Sequence, residues 1–184
     1  MRVISGARRG AKLVTREDEG VRPTTDRVKE SMFNLLGIGY QDFVVLDLFA
    51  GSGALGLEAL SRGAKRVVCV DNDVKSMEII KKNYANLRFS ESAEFHLCDC
   101  MSYLEKTNYK FDLIFLDPPY NKDLITPVMK LLSIRSLLAD DGIIVAESDN
   151  TDILPEFPGF YIAKQRKYGR TFVTLYKEIY TILV

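Results

Sequence analysis

Short apolar runs alternate along the chain with segments in which apolar residues recur every three or four positions. The runs have the length of buried strands and lie at residues 44–49, 66–70, 94–98, 111–116 and 143–146. Between two of them, apolar residues return at helical spacing at Met77, Ile80, Tyr84 and Leu87. Such alternation is typical of a parallel sheet with crossover helices. The pattern therefore predicts an α/β fold with a doubly wound sheet.

Particular residues predict where helices begin and end. Asp73 precedes the helix that contains Met77, and its carboxylate is placed to accept a first-turn N–H bond. Thr126 and Pro127 have the pattern of an N-cap followed by proline at the first helical position. The core stripe of that helix is predicted to comprise Val128, Leu131, Leu132 and Leu138. Gly63 is expected to end the helix that follows the first strand.

The two ends of the chain depart from this alternation. The chain opens with a polar segment, and a helix with one apolar face follows at about residues 26–36. From about residue 160 to residue 183 no crossover helix is indicated, which predicts an antiparallel hairpin at the edge of the sheet. We therefore predict an N-terminal extension over residues 1–36 and one compact unit over residues 37–184.

The composition is that of a globular protein of one domain. Of the 184 residues, 47% are hydrophobic and 27% are charged, which is enough apolar material for a substantial core. No apolar run reaches the roughly 20 residues that span a bilayer, and the first residues lack a signal-peptide h-region. Cys69, Cys98 and Cys100 are too few for a disulfide framework. We therefore expect a cytoplasmic protein with reduced thiols and no membrane partner.

The formal net charge is +0, but the charges are unevenly distributed. Residues 1–29 hold eight Lys and Arg against four Asp and Glu, and residues 161–177 hold five against none. A neutral chain with basic ends can present a positive face to phosphate groups. Two solvated basic segments are the alternative interpretation, because charge alone does not separate it from nucleic-acid binding.

A glycine-rich turn follows the first predicted strand. Gly51, Gly53 and Gly56 form a Gly-x-Gly-x-x-Gly motif, and Asp71 follows Gly51 by 20 residues at the end of the next strand. These features also describe a nicotinamide-dinucleotide site, and the glycines alone are compatible with a tight turn without ligand. Asp47, four residues ahead of Gly51, instead favours a ligand with ammonium and sulfonium groups, because a carboxylate repels a pyrophosphate.

Acidic residues at four strand ends are expected to meet in one crevice, since open α/β sheets bind ligands at the carboxyl ends of their strands. There Asp71 would accept both ribose hydroxyls, and Asp99 would reach the adenine amino group or simply cap a helix. We assign cofactor binding to Asp47, Phe49, Ala50, Gly51, Ser52, Gly53, Gly56, Asp71, Asn72, Asp99 and Cys100, with S-adenosylmethionine as the cofactor.

The tetrad Asp117-Pro118-Pro119-Tyr120 follows the fourth predicted strand. Its chemistry suits methylation of a planar amino group, whose lone pair is delocalised into the ring. A carboxylate and a backbone carbonyl that accept its two N–H bonds would favour attack on a methyl group. The prolines fix the backbone, and Tyr120 offers a face on which a base can stack. We assign the catalytic role to these four residues, although a rigid turn after a strand is the simpler alternative.

These motifs resemble those of the bacterial 16S ribosomal RNA guanine-N2 methyltransferases. Residues 46–56 and 117–120 are similar to motifs that many amino methyltransferases share, whereas residues 22–30 match a block distinctive of this family. Residues 2–10 and 167–171 also resemble the family's ends, so the resemblance covers nearly the whole chain. Asp71 is a departure, because the family often has Glu there, and it puts cofactor affinity in doubt.

The resemblance implies a Rossmann-like class I methyltransferase fold with a mostly parallel seven-stranded sheet, a C-terminal antiparallel hairpin and a β-hairpin in the N-terminal extension. It implies one guanine of 16S ribosomal RNA as target, either free or in an assembling small subunit, and we expect a monomer. We assign RNA binding to Arg8, Arg9, Lys12, Arg22, Thr24, Thr25, Arg27, Lys167, Tyr168 and Arg170. Residues 22–27 could also pin the extension over the cofactor pocket.

Several other functions fit parts of the sequence. A DNA adenine-N6 methyltransferase usually carries a target-recognition region for which 184 residues leave no room. Methylation of a protein glutamine amide is disfavoured by the basic ends and by aspartate at the start of the tetrad. A silent RNA-binding module and a dinucleotide oxidoreductase also stay open. His96, Cys98 and Cys100 have a spacing that suggests a metal site, but buried cysteines near a histidine are commoner, and we predict no metal.

Overall fold

A computed structural model describes residues 1–15, 26–37, 39–119, 123–149 and 153–179. Seven strands in these residues form one sheet in the order β3-β2-β1-β4-β5-β7-β6. They are β1 Val44–Asp47, β2 Arg66–Asp71, β3 Ala93–Leu97, β4 Phe111–Leu116, β5 Leu138–Asp149, β6 Phe160–Tyr168 and β7 Thr171–Glu178. Strands β1 to β5 are parallel, and β7 lies antiparallel between β5 and β6. The mostly parallel seven-stranded sheet with its C-terminal hairpin is therefore confirmed.

Helices cover both faces of the sheet. The described helices are α1 Asp26–Leu36, α2 Ala54–Ser61, α3 Val74–Asn86, α4 Cys100–Lys106 and α5 Ile125–Ile134. Helices α1 to α3 pack on one face with Val45 and Phe115 of the strands, whereas α4 and α5 pack on the other with Leu46 and Ile114. Alternate residues of β1 and β4 thus enter opposite cores, which explains why these strands are mostly apolar. Within the described residues, no helix is long and apolar enough to cross a membrane.

The order of the strands reverses between β1 and β4. Helix α2 leaves β1 on one face toward β2, and the chain reaches β4 on the other side of β1. Adjacent loops at such a point lead away from each other and leave a crevice at the carboxyl ends of the strands. The glycine-rich turn after Asp47 and the tetrad that begins at Asp117 both lie at this edge of the sheet.

The N-terminal segment folds back on itself ahead of α1. Arg2 and Lys12 form an antiparallel bridge, and the Val3 amide donates to the Ala11 carbonyl at 2.9 Å. Val3 is fully buried in the same apolar cluster as Met32 of α1 and the strands of the sheet. Because this packing is continuous with the core, the division between residues 36 and 37 stays a prediction.

Most elements have the predicted positions, and three residues were placed wrongly. Pro127 is the third residue of α5 and not the first. Thr126 does not cap α5, because this helix begins at Ile125 after Leu124, and the Thr126 amide donates instead to Asp123. Leu138 belongs to β5 and not to the stripe of α5, since Ser136 has a positive φ of 48° and turns the chain into the strand. The cap at Asp73 is confirmed, because its carboxylate accepts the Ser76 amide at 2.7 Å.

Candidate active site

The glycine-rich turn has a backbone that few other residues would allow. Gly51 and Gly53 have φ angles of 56° and 76°, in the left-handed region that favours glycine. A Cβ at Gly53 would lie 2.8 Å from the Tyr84 ring, and one at Gly56 would lie 2.3 Å from the Tyr84 hydroxyl. Helix α3 therefore packs directly against the turn, and the glycines allow this close approach.

Asp47 lies beneath the turn and is 1% exposed. Its Oδ2 accepts the Gly56 amide at 3.1 Å, so one oxygen is engaged with the first turns of α2. The pKa of Asp47 is raised to about 7, mainly by burial; the hydrogen bond from Gly56 opposes this shift, and the negative charges of Asp117 and Asp71 add to it. We expected this carboxylate to face a ligand, and the structure shows that it also positions the glycine turn.

Asp71, at the end of β2, joins the turn to the loop that follows β2. Its two carboxylate oxygens accept the amides of Gly51 at 2.8 Å and Asp73 at 2.9 Å. The side chain is half-buried at the carboxyl edge of the sheet. A carboxylate has lone pairs beyond these two bonds, so contact with ribose hydroxyls is compatible with the arrangement and stays a prediction.

The predicted residues after β3 form the start of a helix. Asp99 caps α4, and its Oδ1 accepts the amides of Met101 at 2.9 Å and Ser102 at 3.2 Å. This is the capping alternative considered from the sequence, and it leaves contact with adenine as a prediction. Cys100 is buried against the α4 and α5 core, whereas Asn72 after β2 is exposed.

The tetrad begins where β4 ends, beside the glycine turn. Asp117 is half-buried, Pro118 is buried and Pro119 is exposed, while Tyr120 lies outside the described residues. Burial is the main cause of the raised pKa of Asp47, and the negative charge of Asp117 also contributes. The two carboxylates are therefore close enough to interact electrostatically. Asp47, Asp71 and Asp117 thus form an acidic group around the switch point of the sheet.

The remaining residues that were predicted to bind the cofactor lie within the turn itself. Phe49 is half-buried against the α4 and α5 core, and Ala50 is buried. The Ala50 amide donates to the Val70 carbonyl at 3.0 Å, and the Ala50 carbonyl accepts the Gly53 amide at 2.6 Å. The carbonyl of Ser52 accepts a hydrogen bond from Asn83. The turn is therefore held to β2 and to α3 by its backbone.

The basic residues predicted for RNA binding differ in their surroundings. Arg8 donates from Nε to the Leu87 carbonyl at 2.9 Å and lies over the Phe89 ring, so it fastens the N-terminal segment to the end of α3. By contrast, Arg9, Lys12 and Arg27 are exposed. Arg22, Thr24 and Thr25 lie outside the described residues.

The C-terminal candidates lie around the turn between β6 and β7. Lys167 is exposed with its Nζ 5.4 Å from the Phe172 ring, and Tyr168 is half-buried. Arg170 approaches Asp149 at 4.0 Å with most of its side chain in solvent. These residues can meet a ligand from solution, whereas Arg8 already has structural partners.

The structure contains a buried ion pair that was not predicted from the sequence. The Nζ of Lys29 in α1 lies 3.5 Å from Oε2 of Glu58 in α2, and both side chains are fully buried. Glu58 also accepts the amides of Ile4 and Ser5 and the Nε of Arg62. Burial lowers the pKa of Lys29 against the opposing effect of Glu58. A glutamate inside an otherwise apolar helix was the available signal, because a buried acid needs partners.

A cavity of about 460 Å³ lies elsewhere, between β3 and α4. Its lining includes Glu94, His96, Cys98, Tyr103 and Tyr109, and it contains none of the predicted catalytic or cofactor residues. His96 and Cys98 face this cavity, whereas Cys100 does not line it. Within the described residues, no group of three or more His, Cys, Asp or Glu side chains is arranged to hold a metal ion.

Comparison with known proteins identifies the family to which this chain belongs. Residues 1–177 match the model of the family described as Conserved hypothetical protein 95. The chain belongs to this family. It is 36% identical over 179 residues to ribosomal RNA small subunit methyltransferase D of Escherichia coli (strain K12), covering 97% of this chain and 90% of that protein. It is 41% identical over 182 residues to the rRNA methyltransferase candidate YlbH of Bacillus subtilis (strain 168), with 97% and 99% covered.

Solved structures show the same fold. The methyltransferase candidate yhhF from Escherichia coli superposes with a TM-score of 0.88 at 34% identity, over 98% of this chain and 99% of that one. A methylase candidate from Haemophilus influenzae gives a TM-score of 0.81 at 33% identity, over 97% and 98%. The resemblance inferred from the sequence is therefore confirmed, and the chain is a methyltransferase with a Rossmann-like fold.

Proposed function

We propose that this enzyme transfers a methyl group from S-adenosylmethionine to the N2 amine of a guanine in 16S ribosomal RNA. The observation that carries the proposal is the position of Asp117 at the end of β4, beside the glycine turn. The full-length relationship to an enzyme named ribosomal RNA small subunit methyltransferase D supports the choice of RNA.

The acidic group at the switch point fits the cofactor. Burial is the main cause of the raised pKa of Asp47, and the negative charges of Asp117 and Asp71 raise it as well. Negative charge of this kind favours a ligand that carries an ammonium group and a sulfonium centre, and disfavours a dinucleotide pyrophosphate. Asp47 and Asp71 would hold this ligand together with the glycine turn. When bound, S-adenosylmethionine supplies the activated methyl group.

Asp117 and the prolines would hold the amine that is methylated. The exocyclic nitrogen of guanine is a weak nucleophile because its lone pair is shared with the ring. A carboxylate that accepts one N–H bond and a carbonyl that accepts the other would draw the nitrogen toward tetrahedral geometry. Because the bond to Asp117 strengthens as positive charge develops, its contribution falls mainly in the transition state. Tyr120 is proposed to stack on the base.

The RNA is proposed to contact the basic residues at both ends of the chain. Arg9, Lys12 and Arg27 are exposed near the N-terminus, and Lys167 and Arg170 are exposed at the C-terminal hairpin. Such residues bind phosphates and position the substrate without reading its sequence. We further propose that the enzyme works as a monomer in the cytoplasm, on free RNA or on an assembling small subunit.

Methylation in vitro tests this proposal directly. The purified enzyme is incubated with labelled S-adenosylmethionine and a set of transcripts that cover 16S RNA, and digested nucleosides are identified by mass spectrometry. We expect N2-methylguanosine from one transcript, and a loss of this product with Asp117→Ala but not with Asp140→Ala. Asp140 is a suitable control because it is an exposed aspartate in β5. Methylated adenine, or methyl transfer to duplex DNA alone, would contradict the proposal.

A further inference from the structure

Asn83 in α3 connects two parts of the molecule that are far apart in sequence. Its side chain is 1% exposed, and its Nδ2 donates to the Val14 carbonyl at 2.8 Å and to the Ser52 carbonyl at 2.9 Å. Its Oδ1 accepts the Val14 amide at 2.8 Å. Both N–H groups and the oxygen of this amide are therefore engaged, which is what a buried polar side chain requires.

One of the two connected parts is the glycine turn. Ser52 lies between Gly51 and Gly53, and the Gly51 amide is bound by Asp71. The ring of Tyr84, the residue next to Asn83, packs against Gly53 so closely that a Cβ there would clash. Any displacement of the turn on cofactor binding must therefore be transmitted to this part of α3 or be resisted by it.

The other part is the N-terminal segment, residues 1–15. The side chain of Asn83 pairs with both backbone groups of Val14, as a neighbouring strand would. Leu13 is buried, and its amide donates to the Met1 carbonyl at 3.0 Å. The Sδ of Met1 in turn accepts a bond from the Ser52 hydroxyl at 3.8 Å. The segment that exposes Arg9 and Lys12 is thus joined to the glycine turn by two routes, and Asn83 provides the stronger one.

We propose that Asn83 is a positioning residue that couples the cofactor turn to the N-terminal segment. Binding of S-adenosylmethionine fixes the turn, and the Asn83 bridge then restricts the segment. This inference rests on the proposed function, because we place RNA phosphates on Arg9 and Lys12 of that segment. By linkage, cofactor binding strengthens RNA binding, and RNA strengthens cofactor binding by the same factor.

Amide hydrogen exchange tests the bridge without using RNA. In the wild-type enzyme, saturating S-adenosylmethionine should slow exchange of the Val14 amide by about fivefold or more, the lower end of usual coupling between sites. In Asn83→Asp, a carboxylate oxygen replaces the Nδ2 group that donates to the carbonyls of Val14 and Ser52. Both hydrogen bonds are lost, so S-adenosylmethionine should no longer slow exchange of the Val14 amide. Asn86→Asp is the matched control, because Asn86 is exposed in the same helix, and it should behave like the wild type.

Loss of stability alone does not mimic this result, because it accelerates exchange in the free and the cofactor-bound protein alike. If Asn83→Asp does not fold, Asn83→Ala removes the bridge without the repulsion between oxygens. The wild-type measurement is decisive even then, since unchanged Val14 exchange in a cofactor-bound enzyme overturns the proposal. A variant that retains the slowing also overturns it.

Binding of a 16S RNA fragment provides the second measurement. Its affinity for the wild type should rise by about fivefold or more when S-adenosylhomocysteine is added, and Asn83→Asp should lose this rise. An enzyme that methylates the fragment but binds RNA independently of the cofactor overturns the coupling and leaves the proposed function standing. An enzyme that slows Val14 exchange but methylates no RNA supports the bridge and contradicts the proposed function.

Discussion

Two buried carboxylates have different surroundings: Glu58 lies within helix α2, and Asp47 lies at the end of β1 beneath the start of that helix. Glu58 is surrounded by Lys29, Arg62 and two backbone amides. Asp47 accepts the Gly56 amide, and within the described residues no lysine or arginine forms an ion pair with it. A carboxylate with cationic partners stabilises the fold, whereas one that is buried near other acids raises the local negative potential. Glu58 therefore has a structural role, whereas Asp47 belongs to the acidic group for which we propose a cationic ligand.

Removing the charge of Glu58 should produce the largest effect of this comparison. Glu58→Gln leaves Lys29 buried without an anionic partner, which typically costs about 3–5 kcal/mol of unfolding free energy. Denaturant unfolding at neutral pH measures this loss. Binding of S-adenosylmethionine to the folded fraction should stay near the wild-type affinity. If Glu58→Gln is as stable as the wild type but binds S-adenosylmethionine more weakly, the roles that we give to Glu58 and Asp47 are reversed.

Asp117→Ala tests the acidic group that includes Asp47. The substitution should lower kcat by about 100-fold or more, comparable to the loss of one oriented electrostatic group in a transition state. Cofactor affinity should change much less, because the bond to the amine strengthens mainly during transfer. Single-turnover methylation and calorimetry separate the two quantities, with Asp140→Ala as the control. Wild-type turnover by Asp117→Ala would remove Asp117 from the catalytic machinery.

The raised pKa of Asp47 predicts a stability that depends on pH. Because burial and neighbouring acids raise the pKa from 3.8 to about 7, the folded state holds this proton more tightly than the unfolded chain. The resulting stability is fully present below about pH 4 and is lost as pH rises through about 7. Asp47→Asn should therefore gain stability relative to the wild type as pH rises between these values, by up to about 1.4 kcal/mol for each pH unit.

Urea unfolding of both proteins from pH 5 to pH 8 measures this difference. A difference that is constant across that range would show that Asp47 does not titrate there. At pH 8 the same variant should bind S-adenosylmethionine about tenfold more weakly, on the order of one lost charge-assisted contact. Glu58→Gln is the matched comparison, because Glu58 is an equally buried carboxylate that lies outside the acidic group of Asp47, Asp71 and Asp117.

The smallest effect is expected from substitutions on the basic surface of the N-terminal segment, which Glu58 anchors. Glu58 binds the amides of Ile4 and Ser5, so it anchors the segment that exposes Arg9 and Lys12. Replacing these two basic residues with Ala should flatten the salt dependence of RNA affinity by roughly one unit of log slope per lost phosphate contact. Titrations at several salt concentrations measure the slope. An unchanged slope would mean that the segment does not contact phosphate.

Sequence reasoning was most accurate where a residue type has only one suitable environment. The apolar run at β4 has the predicted bounds, and Asp73 caps α3 as expected. It was least accurate where the same residue type suits two environments. Thr126 and Pro127 fit a helix start, yet α5 begins two residues earlier, and Leu138 is as suitable in a strand as in a helix. Arg8 was predicted for the RNA surface, but its partners Leu87 and Phe89 depend on the fold.

The sequence by itself determined the sheet, the glycine turn and the family, because hydrophobic period and backbone requirements are local properties of the chain; the catalytic role of the tetrad stays a prediction. Only the tertiary structure decided that Glu58 pairs with Lys29, whereas Asp47 has no such cationic partner among the residues that the structure describes, since ion pairs form between residues that are distant in sequence. The structure alone also revealed the bridge from Asn83 to Val14 and Ser52. The sequence does not show which groups an asparagine in a helix will bind. Its hydrogen-bond partners are defined only when the folded structure buries the side chain beside particular donors and acceptors.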